Sequence, residues 1–222
     1  MRKRSAVKPP WKHSTSLVAG GIVAGLLWGC APAAQIPPQP ILAETGTQGA
    51  TAAIPAVDGR LQKTFDEALS RMKAKQFHEA AKRLEAIARE GQAVPGVQLN
   101  LGIAYLQLGE HSRAEQALRQ ALALDGGKSI TYNQLGILLR RRGQFQQARE
   151  AYQKALTLEP GYPLAHLNLG ILCDLYLQNR GCALSHYRAY QRLSAVADPQ
   201  VELWIEDLQR QEYDQSSTEA LQ

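Results

Sequence analysis

Small and apolar residues recur along the middle of the chain at a fixed interval of 34 positions. The pair Leu101-Gly102 returns as Leu135-Gly136 and again as Leu169-Gly170. The same interval relates Ala114 to Ala148, Leu118 to Tyr152, and Ala121 to Ala155. A period of this length is typical of a solenoid, in which each unit buries its apolar face against the next unit.

Each period predicts two helices joined by a tight turn. In the copy that starts at residue 129, one patterned run ends at Gly143, and a second run continues from Phe145 to Leu158, just before Pro160. Glycine suits the position after a helix, where φ is often positive, and proline stops the next helix. The small residues Gly136 and Ala148 are predicted where the two helices of one unit cross.

The period predicts four units, at residues 61–94, 95–128, 129–162 and 163–197. The first copy is degenerate, since Lys75 replaces the turn glycine, as expected of a terminal unit. The fourth copy carries one extra residue between Gly170 and Ala183.

A further helix is predicted after the fourth unit. Asp198-Pro199 is a favourable helix start, and an apolar helix face follows at i, i+3, i+4 and i+7, formed by Val201, Trp204, Ile205 and Leu208. We therefore expect residues 198–213 to form a capping helix over the exposed end of the solenoid, and residues 214–222 to form a disordered, solvated tail.

The repeated positions resemble those of the tetratricopeptide repeat (TPR) family. The third unit carries the family's pattern at Tyr132, Leu135, Gly136, Gly143, Ala148, Tyr152, Ala155 and Pro160. The second carries it at Leu101, Gly102, Tyr105, Gly109, Ala114 and Ala121, with Gly126 in place of the proline. The resemblance implies an all-α, right-handed TPR superhelix (α-solenoid) of about four helix-turn-helix repeats plus a C-terminal capping helix. Its concave face would hold peptides, and the resemblance implies no reaction.

In this family the first helix of each unit lines the concave groove. Carried over, the peptide-binding residues are Asn100, Ile103, Gln134, Ile137, Arg140, Arg141, Asn168 and Ile171. The carboxamides are expected to face solvent in the empty groove and to hydrogen-bond an extended peptide, above an isoleucine floor. The two arginines would pair with an acidic side chain or a C-terminal carboxylate. The alternative is that these are ordinary repeat residues and a solvated arginine pair, with binding through another face or self-association.

The start of the chain has the pattern of an export signal. A basic stretch precedes the apolar run from Leu17 to Gly29, which is short for a hydrocarbon core of ~30 Å but fits a signal peptide. Leu27-Trp28-Gly29-Cys30 resembles a bacterial lipobox, although Trp28 departs from it. We expect residues 1–29 to be a lipoprotein signal peptide and Cys30 to be lipidated. An uncleaved inner-membrane anchor is the alternative.

Composition predicts a tether after Cys30 and argues against a nucleic-acid partner. Residues 30–60 are rich in proline, alanine and glutamine, and we expect a lipid-anchored flexible linker there. The net charge of +5 is carried by five basic residues that precede Leu17, and the rest of the chain balances 20 basic against 20 acidic residues. Without a basic surface, binding to nucleic acid is not expected.

The remaining candidate chemistry lies in the fourth unit, where His166, Cys173, Cys182 and His186 fall close together. A zinc site is conceivable on ligand type, but an oxidising periplasm favours a disulfide between Cys173 and Cys182. Unpaired packing cysteines are the third possibility. No hydrolase or metalloprotease motif occurs, and Gly127-Lys128-Ser129 lacks the earlier glycine of a phosphate loop. We expect no enzyme activity, no cofactor and no metal.

The whole pattern resembles small TPR-containing lipoproteins of the bacterial outer membrane. Ala31 after Cys30 implies passage to the outer membrane, with the body facing the periplasm. The expected function is that of a protein–protein interaction scaffold or assembly factor for a cell-envelope complex, either pilus or secretion machinery or peptidoglycan machinery. Its partner would be a protein or peptide held in the concave groove. The alternative is a metal-binding protein or enzyme that uses the His166, Cys173, Cys182 and His186 cluster.

Overall fold

Segments between turn residues form nine helices in the part of the chain that the computed structural model describes. This part comprises residues 59–90 and 93–219, with side chains to residue 212. The helices are α1 (Gly59–Lys73), α2 (Phe77–Arg89), α3 (Pro95–Leu108), α4 (His111–Leu124), α5 (Ser129–Arg141), α6 (Phe145–Leu158), α7 (Pro163–Leu175), α8 (Arg180–Leu193) and α9 (Pro199–Glu219). No strand occurs within these residues.

The helices pack as four hairpins in chain order. Helices α1 and α2, α3 and α4, α5 and α6, and α7 and α8 pair with each other, and the second helix of each hairpin packs against the first helix of the next. The first helices also contact their neighbours, α3 with α5 and α5 with α7. The predicted all-α solenoid of helix-turn-helix units is therefore confirmed.

The turns within the hairpins need residues that accept a positive φ. Gly109 and Gly143 follow α3 and α5 with φ of 76° and 75°. In the degenerate first unit Lys75 takes the same region with φ of 57°, and Gln178 does so in the fourth unit with φ of 51°. The turn role predicted for glycine is confirmed in the two middle units, and the two outer units use a costlier residue.

Close approach at the crossing of each hairpin explains its recurring glycine. A Cβ atom at Gly136 would lie 2.4 Å from Cε1 of Tyr152, and one at Gly170 would lie 2.6 Å from Cδ1 of Tyr187. At Gly102 the obstacle is Leu118, whose Cγ would be 2.6 Å away. These helices therefore approach too closely for any side chain larger than hydrogen at the crossing.

Helix α9 covers the end of the fourth unit, as predicted. Val201, Ile205 and Leu208 are buried, and the ring of Trp204 lies 5.4 Å from that of Tyr187, centroid to centroid. The side chain of Gln191 on α8 fixes the entry, since it donates to the carbonyl of Asp198 at 2.8 Å and accepts from the amide of Asp198 at 2.9 Å.

Helix α9 is longer than predicted. It continues to Glu219, so the prediction of a disordered tail is wrong for residues 214–219. The physical reason is that residues 209–219 contain neither glycine nor proline, so no residue there ends the helix.

The predicted N-terminal segments lie outside the described residues. These are the signal peptide at residues 1–29, the lipidation site Cys30, and the linker at residues 30–60 except for its last two residues, which begin α1. Of the described helices, none combines the length and the hydropathy that a membrane span requires.

Candidate functional site

The face shared by α3, α5 and α7 is where the sequence places a peptide groove. The structure buries two of its three carboxamides: Asn100 is 3% exposed and Asn168 is 5% exposed. Nδ2 of Asn100 donates to the carbonyl oxygen of Gly96 in its own helix at 2.7 Å. The expectation that these side chains face solvent is wrong, because they are packed among the helices.

The carboxamides also do not stack in the predicted order. Nδ2 of Asn168 donates to Oδ1 of Asn133 at 3.0 Å, and Asn133 is itself buried. Gln134, the predicted member of the ladder, is only half-buried. The buried amide pair joins α5 to α7, so Asn133 and Asn168 hold two neighbouring units together.

Of the predicted isoleucine floor, one residue remains partly accessible. Ile103 and Ile171 are buried in the core, whereas Ile137 on the middle helix α5 is half-buried. An apolar contact with a partner on this face would therefore fall on Ile137.

The two predicted arginines are not a solvated pair. Arg140 is 2% exposed, and none of its guanidinium nitrogens has a hydrogen-bond partner among the described residues. It lies beside Tyr152. Burial raises the pKa of Tyr152 to about 12, although the charge of Arg140 opposes this shift. Arg141 is half-buried and donates from Nη1 to the carbonyl oxygen of Leu106 at 2.6 Å. Burial, followed by the charge of Arg140, lowers the pKa of Arg141.

A partly accessible set of residues remains on this face, and we call it the accessible row. Gln107, Arg141 and Leu175 occupy the same repeat position in α3, α5 and α7, and all three are half-buried. The accessible row also includes Gln134 and Ile137, which lie on α5 with Arg141 and are half-buried. The accessible row therefore offers amide, cationic and apolar groups along three stacked helices.

A second feature, which the sequence analysis missed, lies where α2, α3 and α4 meet. A cleft of about 420 Å³ opens there, and we call it the outer cleft; its lining includes Glu85, Gln98, Tyr105, Arg113, Gln116 and Gln120. The hydroxyl of Tyr105 donates to Oε1 of Glu85 at 2.8 Å, and Nη2 of Arg113 donates to the same oxygen at 2.7 Å. The Arg113 guanidinium also lies 4.1 Å from the centroid of the Tyr105 ring.

This network shifts the titration of its members. The hydrogen bond from Tyr105 and the neighbouring Arg113 lower the pKa of Glu85, although burial opposes the shift. Burial and the Glu85 carboxylate raise the pKa of Tyr105. Glu85 and Arg113 belong to different units, so only the stacking of the units brings the two charges together.

In the fourth unit, the structure pairs Cys173 with Cys182 in a disulfide, with Cα atoms 5.8 Å apart. Asn179 precedes α8 and accepts a hydrogen bond from the amide of Cys182 at 2.9 Å, which fixes the turn between them. The four-ligand metal cluster is therefore not formed, because the two sulfur atoms are bonded to each other. The described residues contain no group of three or more histidine, cysteine or acidic residues that could hold a metal ion.

The two histidines of the cluster contact each other instead. Nδ1 of His166 lies 2.9 Å from Nδ1 of His186, and Nε2 of His166 lies 3.1 Å from the carbonyl oxygen of Pro160. Burial, and then the neighbouring His166, lowers the pKa of His186 to about 4.

Two stretches of the chain match models of a known repeat family. Residues 65–129 match a model described as tetratricopeptide repeat, and residues 136–173 match one described as TPR repeat. These stretches include parts of all four hairpins. A search of curated proteins returns no match.

Solved structures share the fold at low sequence identity. PilF of Pseudomonas aeruginosa is 21% identical, with a TM-score of 0.63 over 71% of this chain and 72% of that chain. TTC0263, a TPR protein of Thermus thermophilus, is 19% identical, with a TM-score of 0.58 over 67% and 80%. YrrB, described as a TPR protein with an unusual peptide-binding site, is 20% identical, with a TM-score of 0.55 over 66% and 74%.

Proposed function

Because the described residues fold as a superhelix of tetratricopeptide repeats, the fold of protein–protein interaction scaffolds, we propose that the protein is a lipid-anchored periplasmic scaffold or assembly factor for a cell-envelope complex. The observation that carries the proposal is the stack of α3, α5 and α7 with the accessible row along it. Repeats of this family are generally non-catalytic and bind protein or peptide partners.

The disulfide supports the proposed compartment. Disulfides persist in secreted and periplasmic proteins, whereas the cytosol keeps thiols reduced. The pairing of Cys173 with Cys182 thus favours export, in agreement with the signal and lipobox pattern that ends at Cys30. Lipidation at Cys30 would hold the repeats at the outer membrane, facing the periplasm.

The envelope complex of this proposal is either pilus or secretion machinery or peptidoglycan machinery. The fold shared with PilF is consistent with the first of these. The partner would offer an extended segment to the accessible row. Gln134 can donate to and accept from its backbone, Ile137 can contact an apolar side chain, and Arg141 can pair with a carboxylate.

The buried residues of the same face have a different role in this proposal. Asn100 bonds within α3, whereas Asn133 and Asn168 bond to each other and link α5 to α7, so these amides act within the protein and do not reach the partner. A buried amide that loses its partner costs about 1–3 kcal/mol, so alanine at Asn168 should destabilise the fold before it affects recognition.

Site-specific photocrosslinking in the native host tests the binding face. A photoreactive residue at Ile137 should crosslink to a discrete envelope protein. The matched control carries it at Lys154, an exposed position on α6, and should give no such product. A third variant carries it at Gln116 in the outer cleft. Crosslinks at Gln116 with none at Ile137 would move the binding site to the outer cleft, and crosslinks at Lys154 alone would refute both sites.

Membrane anchoring needs a separate experiment. Cys30→Ser should release the protein from the membrane fraction into the periplasm, because it removes the thiol that is acylated. If the variant fractionates with membranes as the wild type does, the lipidation proposal is wrong. The crosslinking result would stand in either case.

A further inference from the structure

The histidine pair of the fourth unit occupies the place that corresponds to the outer cleft. His166 lies in the first turn of α7, and His186 lies in the middle of α8. Two units earlier, and allowing for the inserted residue, the same repeat positions are held by Gln98 and Ala117, which line the outer cleft. Both histidines are half-buried, so solvent reaches them.

The hydrogen bonds fix which ring nitrogens carry protons. The carbonyl oxygen of Pro160 can only accept, so Nε2 of His166 carries a hydrogen. When both rings are neutral, Nδ1 of His166 has no hydrogen and accepts, and Nδ1 of His186 donates to it across 2.9 Å. Two ring nitrogens therefore point at each other with a single hydrogen between them.

We propose that this pair is a binding site for a divalent transition-metal ion, with both Nδ1 atoms as ligands and water completing the coordination shell. Bonds of 2.0–2.1 Å to a tetrahedral zinc ion would place the two nitrogens about 3.3 Å apart. The observed 2.9 Å therefore needs an opening of about 0.4 Å, together with a rotation of each ring that turns its Nδ1 lone pair away from the other nitrogen and toward the ion. For His186 to coordinate, its hydrogen moves from Nδ1 to Nε2, so the neutral pair keeps both protons and releases none.

The surroundings of the pair have the features of a metal site. A metal-bound histidine usually donates its other ring N–H to a carbonyl or carboxylate, which orients the ring, and His166 does so to Pro160. The cysteines are excluded as ligands by their disulfide, so the site differs from the four-residue cluster. The proposal is independent of the scaffold role.

Titration calorimetry on tag-free protein with its disulfide intact tests the site, with Cu²⁺ and Zn²⁺ as the probes. We expect one ion per chain, and tighter binding of Cu²⁺ than of Zn²⁺, as imidazole ligands favour. His166→Ala and His186→Gln should each weaken binding at least about tenfold. The control His78→Ala removes an exposed histidine on α2 and should leave the affinity unchanged.

Nitrogen-15 NMR of the imidazoles separates coordination from an indirect effect of the substitutions. In the wild type, Zn²⁺ should shift the Nδ1 resonances of His166 and His186 and leave that of His78 in place, with circular dichroism as the check that each variant is folded. Binding that survives in folded His166→Ala and His186→Gln proteins would overturn the proposal. A wild type that binds neither ion, or a loss of equal size in His78→Ala, would also overturn it.

Discussion

Replacing Gly136 by alanine tests the packing that makes each hairpin possible. The new Cβ atom would lie 2.4, 2.6 and 2.9 Å from three carbons of the Tyr152 ring. Carbon atoms in contact prefer about 3.5–4.0 Å, so the ring and α5 would have to separate by roughly 1 Å. Tyr152 is fully buried in a close-packed core, so its ring has little space into which to turn.

Two opposing effects determine how much Gly136→Ala changes the free energy of unfolding. Overpacking a well-packed core typically costs about 1–3 kcal/mol, and a buried aromatic ring places this case near the upper end. Alanine inside a helix is better than glycine by roughly 1 kcal/mol. The net loss in the free energy of unfolding should be about 1–2 kcal/mol. At roughly 2–4 °C per kcal/mol for a domain of this size, the Tm should fall by several degrees.

A graded series of glycine variants makes this test specific, with urea and thermal unfolding followed by circular dichroism. Gly102→Ala should cost less, because the obstacle there is the flexible aliphatic side chain of Leu118. Gly161→Ala is the matched control: it lies in the turn between α6 and α7, and no atom lies within 4 Å of its Cβ position. It should change stability by less than about 0.5 kcal/mol. If Gly136→Ala is as stable as the wild type, or loses less than Gly102→Ala, close approach of the helices does not explain the glycine.

Three further predictions concern the C-terminal end of the superhelix. Truncation after Ala197 removes α9 with its three buried aliphatic side chains, each of which contributes about 1.5–3 kcal/mol before opposing effects. The truncated protein should therefore have a lower Tm and should aggregate in size-exclusion chromatography. An unchanged melt and a monomeric profile would contradict this. Cys173→Ser should cost about 2–3 kcal/mol in urea unfolding, as should reduction of the wild type, and equal stability of the reduced and oxidised wild type would refute it. Between pH 6.5 and about 4, His186 binds a proton in the unfolded chain but not in the folded protein, so the free energy of unfolding should decrease as the pH falls through this range. His186→Gln should flatten this dependence of stability on pH. An unchanged slope would count against the lowered pKa of His186.

Features that depend on short stretches of chain follow from the sequence. The 34-residue interval predicts the hairpins, and the turn glycines Gly109 and Gly143 mark where their first helices end. The disulfide between Cys173 and Cys182 spans a single hairpin, so the predicted helix pair places the two cysteines on facing helices. These features involve residues within one unit, whose geometry is set by helix periodicity and turn conformation.

The candidate site was predicted less well, because its residues are shared between units. The interval places Asn100, Gln134 and Asn168 at the same repeat position, yet two are buried and the third is half-buried. A repeat period assigns equivalent positions, but it does not say whether a position faces the groove or the packed interface with the next unit. That choice depends on the rotation between neighbouring units.

The contacts between side chains of neighbouring units were therefore decided only by the tertiary structure. Asn168 bonds to Asn133, 35 residues earlier, and Glu85 meets Arg113 from the next unit. Rotation and shift between units place these side chains within a few ångströms of each other, and both result from the packing of whole helix faces. Because that packing sums many weak contacts along each helix, no single residue or spacing in the sequence specifies it.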